Sequence, residues 1–128
     1  MNQAQIFNFL DDVDHYNPQN AFIVKLPSGI TSRDQLLQLL YEKLKLPEYF
    51  GFNWDALFEC LRDFHWINEK LIVLVHKALP SLEDKTLTVY LEILSDSCLD
   101  WKPGEDHKFE VVFPEADRKK ISTLLSRR

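Results

Sequence analysis

Residues 46–64 of this 128-residue chain read LPEYFGFNWDALFECLRDF. The stretch joins two kinds of sequence: a loop crowded with aromatic residues and an acidic amphipathic helix that we expect to begin near Asn53. Pro47 ends the helical pattern before the loop, and Gly51 permits a backbone turn that other residues resist. Asn53 is a favoured N-cap because its side chain can accept a hydrogen bond from a first-turn amide. The stretch therefore predicts a loop followed at once by a helix.

The predicted helix has an apolar side and a charged side. At 100° per residue, four residues fall together on the side that we expect to be buried: Leu57, Cys60, Leu61 and Phe64. The other side carries carboxylates at Asp55, Glu59 and Asp63, followed by Trp66. Like charges four residues apart destabilise an isolated helix by about 0.2–0.5 kcal/mol per pair. An ordinary solvated face accounts for each charge singly, because Asp55 lies in the first turn and Glu59 can pair with Arg62.

A binding surface is the alternative to a solvated face. Four rings precede the charged side of the helix, and we expect them to be exposed or half-exposed: Tyr49, Phe50, Phe52 and Trp54. Aromatic anchors beside charged groups are typical of protein interfaces.

The run LPEYFGFNWDALFECL, sixteen consecutive positions, resembles the signature of the barstar family. These proteins are small intracellular inhibitors of secreted bacterial ribonucleases. Their pattern, Leu-Pro-x-Tyr-aromatic-Gly-x-Asn-x-Asp-Ala-Leu-x-x-Cys-Leu, joins an inhibitory loop to an inhibitory helix. Weaker agreement in the order of elements extends the resemblance over about residues 21–113.

The resemblance implies that loop and helix plug the catalytic cleft of a basic ribonuclease, with carboxylates in place of substrate phosphates. The implied partner-binding residues come from the loop, the helix and one later helix: Tyr49, Gly51, Asn53, Trp54, Asp55, Phe58, Glu59 and Asp96. The first four would line the entrance of the cleft. Asp55 would meet a cleft cation, Phe58 would supply packing, and Glu59 would be the central phosphate mimic. Asp96 is a further acidic contact by looser alignment.

Two positions depart from the well-characterised inhibitor of the family. Glu59 stands where that protein has an aspartate, and Phe58 where it has a tryptophan. Because glutamate is one methylene longer, its carboxylate would be displaced in a site tuned for aspartate. The departures indicate either a different target nuclease or use of the same face on a different target.

The rest of the chain predicts an α/β fold with a small three-stranded parallel sheet and flanking helices, which is also the architecture that the resemblance implies. The predicted elements are a strand over Ala21–Leu26, a helix from Ser32 to Lys45, the acidic helix, a buried strand over Leu71–Val75, a helix opening at Pro80–Ser81 and a strand over Lys108–Phe113. Crossovers of this length suit parallel strands with right-handed connections.

We expect one barstar-like domain over residues 1–128, with the family-like core at about 21–113. The N-terminal extension, residues 1–20, contains apolar residues at helical spacing and predicts a short helix over residues 4–13. The basic C-terminal segment, residues 114–128, predicts either a short helix or a frayed tail.

Charge favours a basic protein as the partner. Residues 1–113 hold 18 acidic and 10 basic side chains, a net of −8, and residues 114–128 hold 2 and 5, a net of +3, which together give the −5 of the whole chain. An acidic body repels nucleic acid and speeds association with basic proteins. We therefore expect no nucleic-acid partner, and a monomer in the free state.

Composition points to an ordinary globular protein, with 45% hydrophobic and 27% charged residues. No apolar run approaches the roughly 18–20 residues of a membrane span, and the N-terminus lacks a secretory signal, so we expect a cytoplasmic protein without membrane contact. Cys60 and Cys98 fit neither a metal site nor a disulfide framework, which indicates reduced thiols and a packing role for Cys60.

An enzyme is the competing class of function. Asp55, Glu59 and Asp63, with His65 beside them, could bind a divalent cation and support metal-assisted hydrolysis. However, one helical stripe does not enclose an ion, and no nucleophile–base pair, zinc motif or phosphate-binding glycine loop is present. His76 reads as a residue that ends a strand. We expect no enzyme, no metal and no cofactor; a barstar-fold interaction module with a non-nuclease partner and no inhibitory activity is the remaining alternative.

Overall fold

A single sheet of four parallel strands, in the order β1-β4-β3-β2, organises the computed structural model, which describes residues 3–126. The strands are β1 (Asn8–Leu10), β2 (Ala21–Leu26), β3 (Leu71–His76) and β4 (Lys108–Pro114). The α-helices are α1 (Arg33–Lys43), α2 (Trp54–Leu61), α3 (Asp84–Asp100) and α4 (Arg118–Leu125), and short 3₁₀ turns occupy Gln3–Ile6 and Glu115–Asp117. The outermost residues of the N-terminal extension and of the basic segment, 1–2 and 127–128, lie outside the described residues.

The central strand β3 is buried on both faces of the sheet. Ile72 and Leu74 pack with the helices in the main core, whereas Val73 and Val75 belong to a smaller cluster on the opposite face. Five consecutive apolar residues are what a doubly covered parallel strand requires. The α/β class and the parallel sheet are thus confirmed.

The sheet has four strands instead of the predicted three, and the helix predicted over residues 4–13 is wrong. A 3₁₀ turn over Gln3–Ile6 leads into β1, which pairs with the end of β4. Phe7 and Phe9 pack around Phe113 with ring centroids 5.3 and 6.4 Å away, whereas Val13 lies on the opposite face of the sheet. The apolar residues of this segment therefore pack on both faces of a sheet. Their spacing along the sequence is also the spacing expected for a helix with one buried side.

Residues 11–20 cover the face of the sheet that the helices leave open. They run from β1 at one edge to β2 at the other. Val13 is buried against Val73, Val75 and Val112. The Tyr16 hydroxyl donates a hydrogen bond to the Glu110 carboxylate of β4. This part of the extension therefore completes a second, smaller core.

The basic C-terminal segment forms a helix, which decides between the two predicted alternatives. Ile121, Leu124 and Leu125 of α4 are buried in the main core. Arg118 binds the Glu115 carboxylate at 2.9 Å and lies 4.4 Å above the ring of Phe9 in β1. Helix α4 thus packs against the first described residues of the chain, the turn over Gln3–Ile6 and β1.

The longer helices begin and end close to the predicted positions. Ser32 caps α1 by accepting a 3.1 Å hydrogen bond from the Gln35 amide, and α1 ends at Lys43, two residues early, because Lys45 has a positive φ of 54°. Helix α3 begins at Asp84, later than Pro80–Ser81. Within residues 3–126, no helix combines the length and the apolarity that crossing a membrane requires.

Candidate protein-binding site

The junction between the loop and α2 is built around Asn53. Its Oδ1 accepts a 2.8 Å hydrogen bond from the Ala56 amide, and its Nδ2 donates to the Gly51 carbonyl at 3.3 Å. The N-cap prediction is confirmed. A Cβ atom at Gly51 would lie 3.1 Å from Asn53 Nδ2, so glycine makes room for the capping side chain.

The unusual backbone of the loop falls at Phe52. Sequence reasoning placed the special turn at Gly51, but the positive φ of 52° belongs to Phe52, where a side chain of this size costs about 1–3 kcal/mol. Its ring packs 5.0 Å from Tyr41 and 4.9 Å from Phe50. Phe50 is buried, which corrects its prediction as an exposed ring. The partly buried Tyr41 and the buried Phe50 thus support a strained, exposed Phe52.

We expect Asn53→Ala to lower the free energy of unfolding by about 0.5–2 kcal/mol, because the first turn of α2 loses its cap. Urea unfolding followed by circular dichroism measures this. Ser32→Ala, which removes the equivalent cap of α1, is the matched control and should cost a similar amount. An unfolding free energy unchanged by Asn53→Ala would contradict the capping role.

The charged side of α2 is exposed and less neutralised than the sequence indicated. Arg62 does not pair with Glu59: its guanidinium carbon lies 3.9 Å from the Phe58 ring centroid, and its Nε donates to the Phe58 carbonyl at 3.3 Å. Within residues 3–126, Asp55 and Glu59 make no salt bridge. The two carboxylates are therefore available to a partner.

Asp63 lies beyond the end of α2, because the helix ends at Leu61. The Asp63 carboxylate binds the ring nitrogen Nδ1 of His65 at 2.9 Å. Of the three carboxylates predicted to lie in a row on the helix, Asp55 and Glu59 are thus helical, and Asp63 lies in the turn that follows.

A pocket of about 120 Å³ lies between the loop and α2. Tyr49, which is 71% exposed, lines it together with the acidic residues Glu59 and Asp63. Phe50, Ala56 and Cys60 also line it, so the lining is partly acidic and partly apolar. Such a lining suits a cationic side chain with an apolar stem, as in arginine or lysine.

Desolvation and the neighbouring carboxylates raise the pKa of two residues of this pocket, Cys60 and Tyr49. Desolvation, with Asp63 and Glu59 adding to it, raises the pKa of the Cys60 thiol to about 11. Desolvation and then Asp63 also raise the pKa of Tyr49. Both side chains are neutral at physiological pH, and Cys60 is buried, as predicted for a packing residue.

Two tryptophans donate hydrogen bonds to the C-terminal ends of α1 and α2, the helices on either side of the loop. Trp66 Nε1 donates to the Leu44 carbonyl at the end of α1, and Trp101 Nε1 donates to the Leu61 carbonyl at the end of α2, each at 2.9 Å. Trp66 is therefore half-buried, which corrects its placement on the exposed side of the helix. These bonds satisfy carbonyl groups that a helix end leaves without a partner.

Trp54, the first residue of α2, rests on a buried polar pair. Its ring lies 6.1 Å from Tyr90 of α3, whose hydroxyl donates a 2.7 Å hydrogen bond to His76 Nε2 at the end of β3. His76 Nδ1 donates to the Val112 carbonyl at 3.1 Å. His76 thus ends its strand as predicted, but it also supports the start of α2 through Tyr90.

The structure brings some of the predicted site residues together and leaves others apart. Tyr49 and Glu59 share the pocket, whereas Asp55 and Phe58 lie on other parts of α2. Asp96 is half-buried on α3, which packs against α2, and it does not line the pocket. The implied set of contacts remains a prediction.

Sequence reasoning missed two contributions to this site. Asp63 was grouped with Glu59 by its four-residue spacing but was not included among the partner-binding residues, although both line the pocket. No sequence signal pointed to Tyr90 as the support of Trp54. Across residues 3–126, no three His, Cys, Asp or Glu side chains are grouped in a way that could hold a metal ion.

The sheet, the helices on one face and the acidic, aromatic loop–helix unit define a small α/β protein with exposed carboxylates and an exposed tyrosine side by side at α2. The family model for barstar, the barnase inhibitor, matches residues 20–114. The chain belongs to the barstar family. A search of curated proteins finds no match. Members of this family are inhibitors and not enzymes, which agrees with the class predicted for this chain.

Proposed function

We propose that this protein inhibits a basic ribonuclease by placing the loop and α2 in its active-site cleft. The observation that carries the proposal is the pocket beside α2, which Glu59 and Asp63 line together with Tyr49. Membership of a family of barnase-type inhibitors adds the class of partner. The enzyme's active-site cations would meet these carboxylates where substrate phosphates bind.

The chemistry of the contact is charge-assisted hydrogen bonding. A guanidinium group presents a planar fork of donors that matches a carboxylate, and such bonds strengthen when water is excluded. In our proposal Glu59 is the central phosphate mimic, Asp55 meets a second cation, and Tyr49 and Trp54 enclose the contact. Asp96 would add a contact from α3.

The stacking of Arg62 on Phe58 narrows the choice of target. The ring that would pack against the nuclease carries a guanidinium 3.9 Å above its centroid. The target must therefore tolerate a cation beside the acidic contacts, or present a carboxylate or carbonyl to it. With the longer side chain of Glu59, this favours a nuclease with a cleft different from that of the best-known family target.

We further propose that the protein acts in the cytoplasm as a monomer with one domain.

The test is a pull-down from lysate and culture medium of the source cell, comparing wild type with Asp55→Ala/Glu59→Ala. Each captured protein is assayed for RNA cleavage with and without inhibitor. Asp34→Ala/Glu42→Ala, which removes two exposed carboxylates of α1, controls for net charge. We expect the wild type and the control variant to capture a ribonuclease and inhibit it. The Asp55→Ala/Glu59→Ala variant should neither capture nor inhibit that enzyme. Capture of a non-nuclease, or capture indifferent to Asp55 and Glu59, would overturn the proposal in favour of an interaction module.

A further inference from the structure

The structure contains a second apolar patch outside the proposed inhibitory face. Among the described residues, four large apolar side chains are exposed: Ile6, Tyr49, Phe52 and Leu99. Tyr49 and Phe52 belong to the loop before α2. Ile6 and Leu99, 38% and 48% exposed, both line one groove of about 620 Å³. Exposed apolar side chains that gather in one place mark interaction sites more often than scattered ones.

The groove lies between the N-terminal turn and the end of α3. Ile6 and Asn8 line one side, Leu99 and Trp101 line the other, and Phe109 of β4 also lines it. Strand β1 pairs with β4 only from Val112 onward, so the first half of β4 has no strand on this side. The short β1 is thus the reason why a groove remains here.

The groove carries positive charge on an acidic protein. Lys70, Lys102 and Lys108 line it, and none of them makes a salt bridge within residues 3–126. Its two carboxylates, Glu105 and Glu110, accept hydrogen bonds from the Lys102 amide and the Tyr16 hydroxyl but keep their charge, so the three lysines exceed the carboxylates by one positive charge. Lys102 Nζ donates a 2.8 Å hydrogen bond to the Leu99 carbonyl, so Lys70 and Lys108 are the lysines that remain available to an anionic partner.

We infer that this groove is a second protein-binding site. It binds an acidic segment of a partner protein, in which an apolar residue lies between residues with carboxylate side chains. The apolar side chain would lie between Ile6 and Leu99, and the carboxylates would meet Lys70 and Lys108 by charge complementarity. Exposed apolar walls favour a protein segment over a small ligand, because pockets for small ligands enclose most of the ligand surface.

The inference does not depend on the proposed inhibitor function. No residue of this groove lines the pocket beside α2. The proposed ribonuclease is basic, whereas the partner of the groove is acidic, so the two sites select different partners. Ribonuclease inhibition should accordingly be unchanged by substitutions in the groove.

The experiment titrates isotope-labelled full-length protein with a capped synthetic peptide, Glu-Leu-Glu-Ile-Glu, at low salt, where screening is weak. Two further peptides replace every glutamate with glutamine or with lysine. Backbone amide shifts are followed by heteronuclear NMR. We expect saturable shifts at residues 6–8 and 98–109 with the acidic peptide alone. Absence of saturable shifts up to about 5 mM peptide, corresponding to less than about 3 kcal/mol of binding free energy, would overturn the inference.

Charge-matched variants test the location of the site. Lys70→Glu/Lys108→Glu should weaken peptide binding at least tenfold, whereas Lys43→Glu/Lys85→Glu, which makes the same change in net charge outside the groove, should change it less than twofold. Leu99→Ser tests the apolar contact without a change in charge, and it too should weaken binding. Equal losses in both double variants would overturn the inference in favour of diffuse attraction. Concentration-dependent shifts of the same amides without peptide would overturn it in favour of self-association.

Discussion

Replacing Glu59 by alanine is expected to weaken inhibition of the target ribonuclease by about 30- to 4,000-fold. This corresponds to about 2–5 kcal/mol for truncating one partner of a buried interfacial charge pair, a range established in part on a complex of this same family. The loss should appear mainly as faster dissociation, because the cation of the nuclease is left buried without its partner. Stopped-flow binding and inhibition assays measure both rates.

Two variants make the result specific to the position of the carboxylate. Glu59→Asp keeps the charge but shortens the side chain by one methylene, so inhibition should fall between wild type and Glu59→Ala. Glu42→Ala removes an exposed carboxylate of α1 and should change only the association rate, by less than threefold at low salt. A Glu59→Ala variant that loses association rate alone would place Glu59 on the rim of the interface.

The stability of the protein is expected to fall steeply between about pH 6.5 and pH 3, because of His76. Burial lowers the pKa of His76 to about 3, while the unfolded chain keeps an ordinary histidine pKa near 6.5. Between these values the unfolded state binds a proton that the folded state does not. The free energy of unfolding therefore decreases as the pH falls, by up to about 1.4 kcal/mol per pH unit from this residue. Above pH 6.5 the contribution of His76 is fully present.

Urea unfolding at a series of pH values measures this dependence. His76→Gln retains a donor for the Val112 carbonyl and an acceptor for Tyr90 but cannot titrate, so its unfolding free energy should fall less than that of wild type across the window. Tyr90→Phe, which removes the hydroxyl bonded to His76 but leaves the imidazole in place to titrate, is the control and should keep the wild-type slope. Parallel curves for wild type and His76→Gln would show that His76 takes up its proton in the folded state.

Sequence patterns predicted the elements that bury one clear apolar face. The α/β class, the parallel strands β2, β3 and β4, and the cap at Asn53 followed from local patterns that the structure keeps. The N-terminal strand was missed because Phe7 and Val13 face opposite sides of the sheet, at spacings that a one-sided helix also produces. The strand and the helix are distinguished only by the pairing of β1 with β4, which lies about a hundred residues further along the chain.

The site was predicted less completely than the fold, for a different reason. The signature residues could be named from the sequence, yet their partners depend on tertiary contacts. Arg62 had two possible partners along the sequence, Glu59 and Phe58, and its guanidinium stacks on the ring of Phe58. Likewise, the positive φ at Phe52 is supported by Tyr41 from α1, which no pattern within the loop reveals.

The three tryptophans of the chain surround the loop–helix unit, at the start of α2 and at the ends of α1 and α2. Indole emission responds to exposure and to hydrogen bonding at Nε1, so the protein carries its own optical reporter of this region. Half-exposed Trp54 would report arrival of a partner, whereas Trp66 and Trp101, with their indole N–H groups bound to helix carbonyls, would report loosening of the helix ends. Emission from an unlabelled sample thus responds both to a partner at the loop–helix unit and to loosening of its support, and a Trp54→Phe variant assigns the two contributions.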